Sequence, residues 1–109
     1  MSGMKNISKN EVMSLATQIS YQDGQVVSKT LAQNNAVSLT LFSFEKGEEI
    51  STHASGGDAM VQVLEGTGRF TVNGVPHILH EGESIIMPAG IPHAVYGEER
   101  FKMLLTVIF

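Results

Sequence analysis

Cysteine is missing from all 109 residues, which removes disulfides, thiolate metal sites and a cysteine nucleophile from the chemistry open to this chain. Positive charge is scarce as well. Seven Lys and Arg stand against eleven Asp and Glu, for a net charge of −4, so no positive field is available to hold a phosphate backbone or an anionic membrane surface. Neither nucleic acid nor a membrane is therefore expected as a partner. No stretch approaches the roughly 18 consecutive apolar residues of a membrane span, and Met1 to Lys5 opens into polar residues rather than the apolar core of an export signal. Cytoplasmic residence is the expectation, and in that setting the glycosylation-like triplet Asn6-Ile7-Ser8 carries no weight. Dinucleotide and Walker fingerprints are missing, as is a G-x-S-x-G nucleophile elbow; Gly66-Thr67-Gly68 lacks the third glycine and the following helix.

What is present is the composition of one ordinary globular domain, with 42% hydrophobic and 17% charged residues. A chain this short buries roughly two-thirds of the surface it exposes when unfolded, so self-association would add useful stability. One short helix is expected near the start, with Ser8 as cap, Glu11 three residues on, and Val12, Leu15 and Ala16 at helical spacing. From Val26 onward the pattern changes to brief β-rich runs: Val26 to Leu31, Ala36 to Glu45, Ala59 to Leu64, Arg69 to Val72, His77 to Leu79, Ser84 to Met87, His93 to Tyr96 and Phe101 to Phe109. Turn signals separate them, among them Lys46-Gly47-Glu48, Glu65-Gly66-Thr67-Gly68 and, sharpest of all, Asn73-Gly74, which suits the two positive φ angles of a type I′ hairpin. Closely spaced short strands predict an all-β sandwich or barrel over residues 26–109, preceded by a partly helical or extended N-terminal segment, residues 1–25. In the run Ala59 to Leu64 both alternating faces are apolar, which predicts burial on both sides and favours a homodimer.

Two stretches carry histidines at well-defined distances from glycine turns. Gly47 is followed after five residues by His53-Ala54-Ser55, then by Ala59 and Gly66; Gly82 is followed after five by Pro88-Ala89-Gly90, then by His93 and Gly97. Pro88 and Gly90 force a bend just before a strand that starts at His93, so neighbouring strands would point both imidazoles into one cavity. This pairing resembles the two signatures of the cupin superfamily, with Gly97 in the place of the second signature's Asn. The resemblance implies a double-stranded β-helix, or jelly-roll barrel, of the small single-domain kind.

Metal-binding cupins, by the same resemblance, use three histidines and a glutamate. Here His53 and His93 match the first and last of these, while Ser55 and Ala59 stand where a His and the Glu are expected. The expected ligand cavity is formed by His53, Ser55, Ala59, Val61 and His93, with His53 and His93 as candidate catalytic or metal-binding residues. The resemblance leaves two chemistries open. One is a binding barrel for a small molecule, a sugar or an organic acid, with a divalent Zn, Fe, Mn or Ni ion or with none. The other is a metal-dependent enzyme of the isomerase, lyase, decarboxylase or dioxygenase class. Imidazoles serve either, because their ordinary pKa near 6.5 suits proton transfer and their neutral form ligates metals. His77 and His80, at odd spacing on a strand, are expected on opposite faces and at the surface. Asp58 is expected to cap a turn, Glu65 and Glu83 to be solvated turn residues, Arg69 to form a rim salt bridge, and Tyr96 to face away from His93.

Overall fold

A computed structural model describes residues 3–109; residues 1 and 2 of the N-terminal segment lie outside the described residues. Seven strands follow one another: β1 (Val26–Gln33), β2 (Val37–Phe44), β3 (Glu49–His53), β4 (Asp58–Val72), β5 (Val75–His80), β6 (Ser84–Met87) and β7 (His93–Ile108). Every pairing is antiparallel, in the order β1-β2-β7-β4-β5, with β3 also on β7 and β6 also on β4. β4 and β7 pair along almost their whole lengths and are shared by both halves of the barrel. One half is completed by β1, β2 and β6, the other by β3 and β5.

Two long shared strands replace four of the short runs expected from the sequence, and the reason is local. Glu65-Gly66-Thr67-Gly68 is a bend inside β4 rather than a turn between strands, because the register against β7 slips between Val63 and Glu65 and again between Gly66 and Gly68. Such bulges turn a strand round a barrel corner without ending it. Gly66 makes the bend possible: its φ is +79°, and it pairs opposite Phe101 at close range. Asn73 (φ 51°) and Gly74 (φ 81°) form the expected tight hairpin, with Val72 opposite Val75.

The core is aromatic at its centre. Phe101 stacks on Phe44 at 4.6 Å between ring centroids and meets Phe70 edge-on at 5.8 Å, all three fully buried. Val61, Val63, Met87 and Met103 fill the surrounding space. A second apolar cluster lies on the outer face of the sheet, where Leu31 and Leu41 pack with Ile19, Leu15 and Ile7 of the N-terminal segment.

That segment is not the helix expected over Ser8 to Ala16. Asn6 and Asn10 adopt positive φ (61° and 63°), Val12 is fully exposed, and among the described residues the only helical turn is a 3-10 turn, Leu15–Gln18. Tertiary anchoring outweighs the weak local helical signal. Side chains of the sheet hold the segment by its carbonyls: Lys29 Nζ donates to Gln18 O (2.9 Å), Ser43 Oγ to Ser20 O (2.9 Å), and the buried Lys102 Nζ to Ala16 O. Glu65 is correspondingly not a free surface carboxylate. It accepts the Tyr21 hydroxyl at 2.7 Å and lies 3.8 Å from Lys102 Nζ; burial and that carboxylate together hold the Tyr21 phenol well above its usual pKa.

Candidate functional site

The barrel mouth is assembled from two loops. After β3, Ser55 O accepts the Gly90 N–H at 3.0 Å, and Asp58 Oδ1 accepts the Ala89 N–H at 2.9 Å, so Asp58 takes the capping role expected of it, across to the opposite loop. Pro92 O accepts the Asn73 N–H at 2.8 Å, which ties the start of β7 to the β4–β5 hairpin. β3, which lacks the apolar alternation that marks a strand, pairs with β7 so that His53 stands opposite His93. Val95 of β7 faces the core and the strand period carries His93 to the same inner side; His53 is three residues from the core-facing Ile50 of β3, and the register shift between those two residues brings its ring to that side as well.

The two rings meet. Nε2 of His53 lies 3.2 Å from Nε2 of His93, with ring centroids 4.4 Å apart and planes at 74°. His93 is only 3% exposed, whereas His53 is open to solvent. His53 Nδ1 sits 2.9 Å from Ser51 O. A carbonyl can only accept, so His53 carries its proton on Nδ1 and offers a lone pair at Nε2. The hydrogen between the rings then comes from His93 Nε2, which leaves His93 Nδ1 as a bare nitrogen; that atom is buried and has no hydrogen-bond partner.

Burial, and secondarily the facing His53, push the His93 pKa below 6.5, against a weaker opposing pull from the Ile91 backbone. Unfolded, His93 takes up its proton near 6.5; folded, it does so only at lower pH. Between the folded value and 6.5 the unfolded chain therefore binds more protons, and stability falls as the pH falls through that window; well above 6.5 and well below the folded value the residue makes no contribution to pH dependence. Chemical denaturation at about pH 7 and about pH 5 should show a drop in midpoint for the wild type and a smaller drop for His93→Gln. Equal drops would remove His93 as the cause.

The remaining residues of the expected cavity are placed differently from the two imidazoles. Ser55 is on the rim and donates its hydroxyl to Gly57 O, while Ala59 and Val61 are buried in the packed core (1% and 0% exposed). Among the described residues no three of His, Cys, Asp and Glu come together as a metal-binding group. Two nitrogens 3.2 Å apart are about as far from each other as two ligands of one tetrahedral Zn²⁺, at Zn–N of about 2.0–2.1 Å, but a stable site takes three or four protein ligands. Ser55 and Ala59 do not supply them, so the chain's own side chains offer only two of the ligands a divalent ion would take there.

Other singled-out residues lie apart from the pair. His77 and His80 are both exposed on β5, His77 opposite Phe70 and His80 opposite Thr67. Tyr96 lies under the Arg69 guanidinium, 4.3 Å from ring centroid to Cζ, and Arg69 pairs with Glu98 at 2.9 Å. Glu83 accepts the His80 N–H at 2.7 Å, closing the turn it sits in. Sequence reasoning missed the Ser51 carbonyl that orients His53; a backbone acceptor leaves no trace in the sequence.

A family model described as the cupin domain matches residues 40–109, which takes in both histidines and six of the seven strands in whole or part. The chain belongs to the cupin family. A conserved protein of unknown function from Streptococcus pyogenes is 42% identical to this cupin, with a TM-score of 0.96 over 99% of this chain and 95% of that one. A cupin superfamily protein from Desulfitobacterium hafniense is 33% identical (TM-score 0.93, covering 98% of each chain). A cupin 2 conserved barrel domain protein from Leptotrichia buccalis is 45% identical (TM-score 0.87) over 89% of this chain, which spans 47% of that longer one. None of the curated proteins matches the chain.

Proposed function

We propose that this cupin is a binding barrel for a small organic acid, held at the mouth by His53 and His93. The observation that carries the reading is the 3.2 Å approach of the two Nε2 atoms. One added proton, taken up at the bare His93 Nδ1 while the hydrogen between the rings passes from His93 Nε2 to His53 Nε2, makes the pair an N–H···N cation whose charge lies on the exposed His53, with the neutral His93 sheltered behind it. An ionised carboxylate is the matching partner, through a charge-assisted hydrogen bond. Binding then takes up a proton, so affinity rises as pH falls through the titration of the pair, provided the acid stays ionised.

Isothermal titration with small carboxylates and their amide analogues, in buffers of different ionisation enthalpy, tests this. Carboxylates should bind with proton uptake to the wild type and at least about tenfold more weakly to His53→Ala and His93→Gln, a loss of roughly 1.4 kcal/mol or more. Equal binding of the amides, or unchanged affinity in both variants, would refute the reading.

The nitrogen separation also favours a second reading, in which both imidazoles ligate an ion in a metal-dependent isomerase, lyase, decarboxylase or dioxygenase. It requires a third ligand from the substrate or solvent. Stoichiometric metal surviving dialysis would select it over the acid-binding barrel. We further read the protein as a homodimer, because Met60, Ile86 and Ile108 lie on the outer face of the barrel and Ile86 and Ile108 are more than half exposed.

A further inference from the structure

On the back of β3, away from the imidazoles, the outer surface of the barrel carries a concavity of about 210 Å³. Its cause is legible in the register. Glu49, Tyr96 and Arg69 form one cross-strand row over β3, β7 and β4, and the next row places Ala94 beside Thr71. A methyl group in the central strand, between the taller Tyr96 and Arg69 and the short Ser51, Thr52 and Thr71, leaves a depression with the alanine as its floor.

The lining selects its ligand by exclusion. Arg69 already faces Glu98 at 2.9 Å, and Glu49 adds a second carboxylate, so an anion would meet more negative than positive charge. A flat aromatic ligand is disfavoured because the guanidinium already covers one face of the Tyr96 ring. An apolar ligand would find Ile50, Ala94 and Val95 in the lining, but it would strip water from the four hydroxyls of Ser51, Thr52, Thr71 and Tyr96 and from a carboxylate without replacing it. What remains is a neutral molecule with many hydroxyls of its own, able both to donate to Glu49 and to accept from Arg69 and the Ser and Thr side chains. The volume corresponds to roughly seven waters at about 30 Å³ each, enough to seat one sugar ring with its outer edge in solvent.

We propose that this outer-face concavity, built on Ala94 and walled by Tyr96, Arg69, Thr71 and Ser51, is a binding site for a neutral monosaccharide-sized polyol. The site is separate from the imidazole pair, since Tyr96 and Ala94 stand on the outer side of β7 while Val95 faces the core. Fold-wise it needs nothing beyond the three strands that form it.

Amide NMR of the full chain, titrated separately with D-glucose, D-ribose and sodium gluconate, tests the assignment. At least one of the neutral sugars should cause saturable shifts at Ser51, Thr71, Ala94 and Tyr96, and gluconate should bind at least about fivefold more weakly because its carboxylate meets Glu49 and Glu98. Ala94→Phe, which fills the floor from the outside, should abolish the shifts. Should that variant not fold, Thr71→Val, which removes one hydroxyl at nearly constant volume, should weaken binding about threefold. The proposal fails if neither sugar gives saturable shifts, if the shifts map instead to His53 and His93, if gluconate binds as tightly as the sugars, or if the folded variants bind as the wild type does.

Discussion

Phe101→Ala should destabilise the barrel by about 3–5 kcal/mol, a large part of the total stability of a domain this size. The ring is fully buried, stacks on Phe44 and receives Phe70 edge-on, so its removal empties the centre of the core and takes two aromatic contacts with it. Its neighbours are held by strand pairing on both sides and have little freedom to collapse into the space. Urea denaturation followed by circular dichroism measures the loss directly. Val75→Ala is the control: Val75 is 55% exposed, and its truncation should change stability by no more than about 0.5 kcal/mol. A loss at Phe101 no larger than at Val75 would mean that the aromatic stack is not the core.

Gly66→Ala should have the second largest effect, on the order of 3 kcal/mol, although it adds a single methyl group. Two costs combine. The residue sits at φ +79°, where an L side chain is strained, and an added Cβ would come within 1.8 Å of Arg100 O and 2.7 Å of Phe101 Cα. Relief requires β4 and β7 to separate at the corner where they turn from one half of the barrel to the other. Gly24→Ala isolates the conformational part, since Gly24 has a similar φ of +65° but nothing within 4 Å of its would-be Cβ. Denaturation should therefore show Gly66→Ala well below Gly24→Ala in stability. Equal losses would indicate that backbone strain alone matters and that the close approach to Arg100 does not.

Those two residues also show how far the sequence could be read. The Phe101 run reads plainly as a strand, and Asn73-Gly74 gives the hairpin, because both signals depend on local chemistry alone. Gly66 was visible as a glycine in a turn-like tetrapeptide, but the same residues serve a bulge, and only pairing with β7 decides between the two. β3 went unread for a related reason: of Glu49 to His53 only Ile50 is even partly buried, so no alternation marks it, and backbone pairing with β7 makes it a strand. At the N-terminus, a plausible capping pattern was overridden by carbonyl anchors from Lys29, Ser43 and Lys102, which lie far along the chain. Tyr21 and Glu65 meet across 44 positions, a contact that no local pattern encodes.

The candidate site divides in the same way. The glycine and proline spacing placed His53 and His93 at one mouth, because turns fix where the following strand begins. It could not convey that His53 is locked by the Ser51 carbonyl, or that His93 Nδ1 is buried without a partner. Those two facts decide which nitrogen faces which, and hence what the pair can bind.

Nitrogen-15 NMR of the imidazole side chains across a pH titration, in the wild type and in His53→Ala, reports on the pair most directly. Protonation of His93 should be centred below pH 6.5, its Nδ1 should carry no hydrogen when neutral, and loss of the facing ring should move its titration upward. A His93 that titrates at or above 6.5 and is indifferent to residue 53 would contradict the whole account of the barrel mouth.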